Sequence, residues 1–195
     1  RSIEVSWARD VYKRQELRNA NKFYDSGEFS SALDLLESSK VLFDSSDDKV
    51  KSQQMLLYGK IHTSMQDFSL AMEAFNISKD LGISSDQLGP ELMRLENSII
   101  TNAIADQESG NSLDAAIKLK MAYDLNPEVN QDYLYFAAGN AVNSINYSLA
   151  LEYYLLLRDI NYDGVTTKFY ITEVESGNEI ETVSYTHLRA HETSI

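Results

Sequence analysis

A small residue recurs twelve positions ahead of an alanine at four places along the chain: Ala20 with Ala32, Gly59 with Ala71, Ala103 with Ala115, and Ala138 with Ala150. Successive pairs begin 39, 44 and 35 residues apart, so the spacing inside a pair is constant while the connections between pairs vary. Self-similarity of this kind marks a repeat architecture, in which each unit is one supersecondary element that cannot bury its apolar face alone. Two helices that cross closely need a near-absent side chain at the contact, because extra methylenes in a packed interior cost about 1 to 3 kcal/mol. Large apolar residues flank the small ones at helical spacing, such as Phe68 and Phe75 around Ala71, or Tyr147, Tyr154 and Leu157 around Ala150. With two prolines and eight glycines in the whole chain, little stands in the way of long helices.

The connections are legible as well. Asp25–Glu28 (DSGE) and Glu108–Asn111 (ESGN) place a glycine where a helix ends in a left-handed residue. Asp44–Lys49 (DSSDDK) and Leu81–Pro90 (LGISSDQLGP) read as surface loops that lengthen their units. The first of these is acidic but lacks the sixth-position glycine and distal glutamate of a calcium loop, so its Ser and Asp read as helix caps. After Tyr162 the character changes. Thr166–Val174 (TTKFYITEV) is β-branched and aromatic, Glu175–Asn178 signals a turn, and Glu179–Thr182 begins a return strand, together a short β-prone C-terminal hairpin.

These units resemble the tetratricopeptide repeat (TPR) family, whose repeat is about 34 residues of two antiparallel helices. The second unit reads Met55, Tyr58, Gly59 and His62, then Phe68, Ala71, Phe75 and Leu81; the fourth reads Leu134, Ala137, Ala138 and Ala141, then Tyr147, Ala150, Tyr154, Leu157 and Ile160. The third gives Ile99 and Ala103, then Gly110, Ala115, Leu119, Ala122, Leu125 and a terminal Pro127; the first gives Ala20, Phe23, Gly27, Phe29, Ala32, Leu36 and Leu42. Asn19 and Asn102 stand where the family favours leucine, and Ser39 and Ser78 where it favours alanine.

The resemblance implies an all-α fold, an α-solenoid of about four TPR-like helix-turn-helix repeats over residues 16–43, 52–82, 96–127 and 131–162, with 163–182 as a hairpin-like tail or the start of a truncated domain. It makes Ala20, Ala32, Gly59, Ala71, Ala103, Ala115, Ala138 and Ala150 the helix-crossing residues. It also implies a concave groove lined by the first helix of each pair: Leu17, Asn21 and Tyr24; Leu56, Lys60 and Thr63; Ile100, Ile104 and Gln107; Tyr135, Gly139 and Val142. Chaperone-binding members of the family hold a carboxylate with basic residues and asparagine at these positions. Here leucine and isoleucine replace the basic residues, though Asn21 and Lys60 remain, which argues against that ligand. An apolar and aromatic groove ringed by acid implies instead a protein or peptide partner with basic flanks.

Both ends of the chain read differently. Val11-Tyr12-Lys13-Arg14-Gln15 is what GTG TAT AAG AGA CAG, the end of a transposase sequencing adapter, encodes, and Val183–Thr193 translates from the reverse complement of the same adapter type. Residues 1–15 and 183–195 are therefore expected to be adapter-derived, which removes Trp7 and the His187/His191 pair from functional consideration. Removing those ends takes five basic and three acidic residues from 17 Lys+Arg and 30 Asp+Glu, leaving 12 against 27, a net charge of −15. Such a surface repels phosphate backbones, so nucleic acid is not an expected partner.

No apolar run is long enough to span a bilayer, and the absence of cysteine removes disulfides, Cys-ligated zinc and a thiol nucleophile. There is no phosphate loop, dinucleotide fingerprint or metal-ligand cluster. His62 falls on an inward helix position and reads as packed, while Glu91 with Glu96 and Asp106 with Glu108 read as solvated faces. The expectation is a protein-protein interaction scaffold, not an enzyme, without cofactor or metal. The competing reading is a regulatory or assembly arm of a larger enzyme or cell-envelope complex, with catalytic residues beyond Thr182, and a third is self-association of the repeats. The compartment is not legible.

Overall fold

The computed structural model describes the backbone of residues 2–164, 169–172 and 179–182 and the side chains of residues 11–164. The chain divides into two units, Arg1–Ile160 and Asn161–Ile195. In the first unit every described element is an α-helix, so its all-α reading holds: α1 (Ser2–Asp25), α2 (Phe29–Ser38), α3 (Lys40–Asp44), α4 (Asp48–Met65), α5 (Phe68–Asp80), α6 (Ser85–Glu108), α7 (Ser112–Leu125), α8 (Gln131–Asn143) and α9 (Tyr147–Asp159). In the second, β1 (Phe169–Thr172) and β2 (Glu179–Thr182) pair antiparallel, with Phe169 opposite Thr182. The turn expected at Glu175–Asn178 lies outside the described residues, as do His187 and His191 and the side chain of Trp7.

Within the first unit, helices pack in chain order. The most extensive packing joins α4 with α5 and α7 with α8, followed by α6 with α7, α8 with α9 and α1 with α2. One core cluster joins Leu17, Ala20, Ala32, Leu36, Phe43, Leu57 and Ile61 from α1 to α4; another joins Phe68, Ala71, Phe75, Leu88, Leu95, Ile99 and Ala122 from α5 to α7. Polar contacts join helices both within and between pairs: inside the α4–α5 pair the Ser78 hydroxyl donates to the Ser52 carbonyl at 2.7 Å in the core, and between the third and fourth pairs the Asn130 amide donates to the Ala122 carbonyl at 2.9 Å. The serine at position 78 thus replaces a methyl contact with a bond to the neighbouring helix backbone.

All eight small residues at the twelve-residue spacing are buried. At Gly59 the approach is closest. A Cβ there would sit 2.3 Å from the Cε1 atom of Phe75, whose ring is itself enclosed in the core.

The four turns inside the pairs are built alike. Seven residues beyond each first small residue lies one with positive φ: Gly27 (81°), Gln66 (65°), Gly110 (81°) and Ile145 (61°). Its N–H donates to the carbonyl three residues back, and the next N–H to the carbonyl five back: Tyr24 and Phe23, Thr63 and His62, Gln107 and Asp106, Val142 and Ala141. This is the Schellman closure, which satisfies the last carbonyls of a helix through one left-handed residue. Glycine announces it in the first and third turns; in the other two Gln66 and Ile145 take the same conformation against their side chains' preference.

Three boundaries depart from the sequence expectation. Leu81–Pro90 is not a loop throughout, since α6 starts at Ser85 and the third unit's first helix begins well before residue 96. Pro90 is accommodated because the backbone bond it forfeits would have reached Asp86, an exposed residue in the first turn of the helix, while buried Leu88 and Leu95 hold the segment to the core. The second helix of the first unit is broken at Ser39: the Ser38 hydroxyl donates to the Leu35 carbonyl at 3.0 Å, competing with the helix ladder, and Phe43 on α3 enters the core. At the other end α1 runs back through residues 2–15, where Lys13 is buried and its ammonium donates to the Ser45 carbonyl at 3.1 Å. The acidic connection behaves as a cap, with the Asp47 carboxylate accepting from the Val50 N–H at 2.8 Å.

Two substitutions test this account. Gly59→Ala should lower stability by about 1 to 3 kcal/mol in urea unfolding, and adding Phe75→Leu should recover part of the loss. Ile145→Gly should raise stability by about 1 kcal/mol, because a left-handed β-branched residue is strained by about that amount, and a Tm that falls would contradict the turn geometry.

Candidate functional site

The residues expected to line a groove separate into three groups. Leu17 and Thr63 are buried: Leu17 belongs to the core, and the Thr63 hydroxyl donates to the Gly59 carbonyl at 2.7 Å. Leu17 nevertheless lines the cavity described below, whereas Thr63 does not. Ile100 is half-buried against the second core cluster and Leu56 likewise. Ile104, Tyr135 and Val142 are exposed, and Gly139 faces open space, with no atom within 4 Å of where a Cβ would stand. Tyr135 packs edge-on to Phe136 at 5.9 Å, and Gln107 accepts a 3.4 Å bond from the buried Asn140 amide.

The third group makes a connected polar site across three helices. The Lys60 ammonium on α4 lies 4.6 Å above the Tyr24 ring of α1, within the range of a cation–π contact. The Arg94 guanidinium on α6 donates to the Tyr24 hydroxyl at 3.0 Å, and Glu91 lies 3.9 Å from Lys60 and 3.7 Å from Arg94. Tyr24 also tilts against Phe29 at 5.6 Å. Tyr24, Lys60, Glu91 and Arg94 thus bind the first three helix pairs to one another, and of these only Tyr24 and Lys60 are legible from the repeat alignment. Glu91, which reads in the sequence as part of a solvated face, has its side chain largely enclosed here, and Arg94 precedes residue 96, where the third unit is expected to begin.

Beside this network lies a cavity of about 530 Å³ lined by residues of α1, α4 and Gln87 at the start of α6. Leu17, Asn21, Leu56 and Lys60 from the expected set reach it, together with Arg14, Arg18, Lys49, Val50, Gln53 and Leu57. Helical spacing could have found the additional members: Arg14, Arg18 and Asn21 lie three or four apart on α1, as do Lys49, Gln53, Leu56 and Lys60 on α4. Its charge reverses the expectation of an acidic rim. Arg18, Lys49 and Lys60, with Arg14 from the stretch expected to be adapter-derived, share the lining with one carboxylate, Asp47, which is held by the Val50 N–H, while Glu91 approaches Lys60 from beside the cavity. The lining thus carries a local excess of cations in a chain of net charge −13.

Another cavity, of about 550 Å³, is lined by Tyr58, His62, Gln54, Glu37, Lys40 and Glu73 among others. His62 is buried, stacks on Tyr58 at 6.2 Å, and has Nδ1 3.4 Å from an Asp67 carboxylate oxygen. Burial, reinforced by Glu37, pushes the Tyr58 phenol up to about 12. Among the described residues no three His, Asp or Glu side chains gather as metal ligands, and no described helix is long and apolar enough to cross a membrane. No protein-family model matches the chain, and no curated protein matches it.

The Tyr58 shift has a measurable sign. An unfolded tyrosine ionises near 10 and the folded one near 12, so this group's stabilisation is full below 10 and lost as pH rises towards 12. Urea midpoints measured across that interval should fall less steeply for Tyr58→Phe than for the parent chain.

Proposed function

We propose that the chain is a non-catalytic tetratricopeptide-like scaffold, an α-solenoid whose concave side holds a segment of a partner protein. The observation that carries this reading is the cavity between α1 and α4, an apolar floor of Leu17, Leu56 and Leu57 beneath the cations Arg18, Lys49 and Lys60 and the amides of Asn21, Gln53 and Gln87. Amides can pair with a peptide backbone, and leucines with one apolar side chain, while the cations select carboxylates. The partner segment is therefore acidic with an apolar anchor, and basic flanks are set aside for this part of the groove. Lys60 is pre-positioned, since Tyr24 and Glu91 restrain its ammonium before any ligand arrives. The uniform turns and buried crossing residues support the solenoid itself, and the four-member network supports a rigid first half.

A fluorescein-labelled peptide with leucine set among aspartates and glutamates, and a counterpart with lysines in their place, distinguish the partner chemistry by anisotropy. The acidic peptide should bind and weaken as salt is raised, and the basic one should not. Arg18→Ala with Lys60→Ala should reduce binding of the acidic peptide at least tenfold while far-UV dichroism stays unchanged. Equal binding of the two peptides would remove the site from consideration.

A further inference from the structure

The helix pairs end on an apolar face that has no counterpart earlier in the chain. Shifted by 35 residues, α7 superposes in sequence on α9, with Ala115 on Ala150. Four residues beyond the second-helix alanine, the earlier pairs carry Leu36, Phe75 and Leu119 at 0%, 1% and 6% exposure, whereas Tyr154 is 42% exposed. One residue beyond it, Leu33 and Met72 are half-buried and Ala116 is buried, whereas Leu151 is 59% exposed. Tyr147 and Leu155 are exposed beside them, so Tyr147, Leu151, Tyr154 and Leu155 form one stripe at helical spacing.

On α7 the positions matching Leu151 and Tyr154 are the buried Ala116 and Leu119, and α7 packs extensively on α8, whose buried residues include Leu134, Ala137, Ala138 and Ala141. That spacing, a large apolar residue followed by small ones three, four and seven positions on, lets two helix backbones approach. The same shift would put the next helix at residues 166–178, where the described residues form the strand Phe169–Thr172 instead. Among the described residues of that stretch there is thus no helix matching α8.

We propose that the stripe on α9 is a docking site for an amphipathic helix of a partner protein, built on the α8 pattern of one large and three small apolar residues. The occupant is fixed by continuity with the α7–α8 interface: bulky Leu151 and Tyr154 protrude where Ala116 and Leu119 lie, so the incoming helix must be small opposite them. A second copy of the chain is disfavoured because each brings a net charge of −13, and a partner with basic flanks is favoured for the same reason.

The chain has no cysteine, so Leu151→Cys introduces a single thiol in the middle of the stripe. A further copy of residues 128–146, joined to the C-terminus through a flexible Gly/Ser linker, serves as the probe, since tethering raises its local concentration to the millimolar range. Thiol modification at Cys-substituted position 151 should slow at least tenfold in the fusion, and should recover when the appended copy alone carries Ala137→Glu and Ala138→Glu. An unchanged rate in the first fusion overturns the proposal. So does a rate in the unfused variant that falls with protein concentration alongside dimer-sized light scattering, which would give the face to a second copy. Far-UV dichroism of each variant confirms that the helices persist.

Discussion

The structure of the first unit depends on the absence of atoms at the points where helices cross. At Gly59 the Phe75 ring occupies the space a methyl group would need, and that single omission lets the ring be enclosed on all sides. The other seven positions at this spacing hold alanine, and all of them are buried. Once the crossing point is fixed on both helices of a pair, the chain between them has a set length, which is why the spacing is twelve in every pair while the connections outside the pairs vary. Dispersion across such close contacts supplies many small gains that a looser crossing forfeits.

The recurrence of one hydrogen-bonded turn in all four pairs shows how geometry overrides local preference. Glycine makes two of the turns visible in the sequence. Gln66 and Ile145 hide the other two, because neither residue favours a left-handed backbone, and only the crossing constraint on either side holds them there. The same logic explains α6. Pro90 and Gly89 read as a break, yet Leu88 and Leu95 belong to one buried stripe, and burial of that stripe outweighs one lost backbone bond near an exposed helix start.

The candidate site was legible to a lesser extent. Repeat alignment finds Tyr24, Lys60 and Asn21, because the first helix of each pair presents the same face. It does not find that Leu17 and Thr63 turn inward, since an apolar or hydroxyl residue one step around a helix can sit on either side of the boundary between core and groove. Nor does it find the charge of the cavity. Net charge averages over the whole surface, whereas Arg18, Lys49 and Lys60 come together only when α1 and α4 pack. Ser78 shows the converse. Read as a departure from the repeat pattern, it is a hydroxyl aimed at the Ser52 carbonyl, a bond no pattern of residue types contains.

The buried polar bonds within and between pairs join residues close in sequence: 26 positions separate Ser78 from Ser52 inside the α4–α5 pair, and eight separate Asn130 from Ala122 across the α7–α8 step. Contacts this local leave little loop-closure entropy to lose before the first native contacts form, a feature that favours fast folding. Any one pair can act as the nucleus, with the next condensing upon it in either direction. The Tyr24 to Arg94 bond, which spans 70 positions, is the exception. It can form only after the first three pairs have assembled, and so would come among the latest contacts on the folding path.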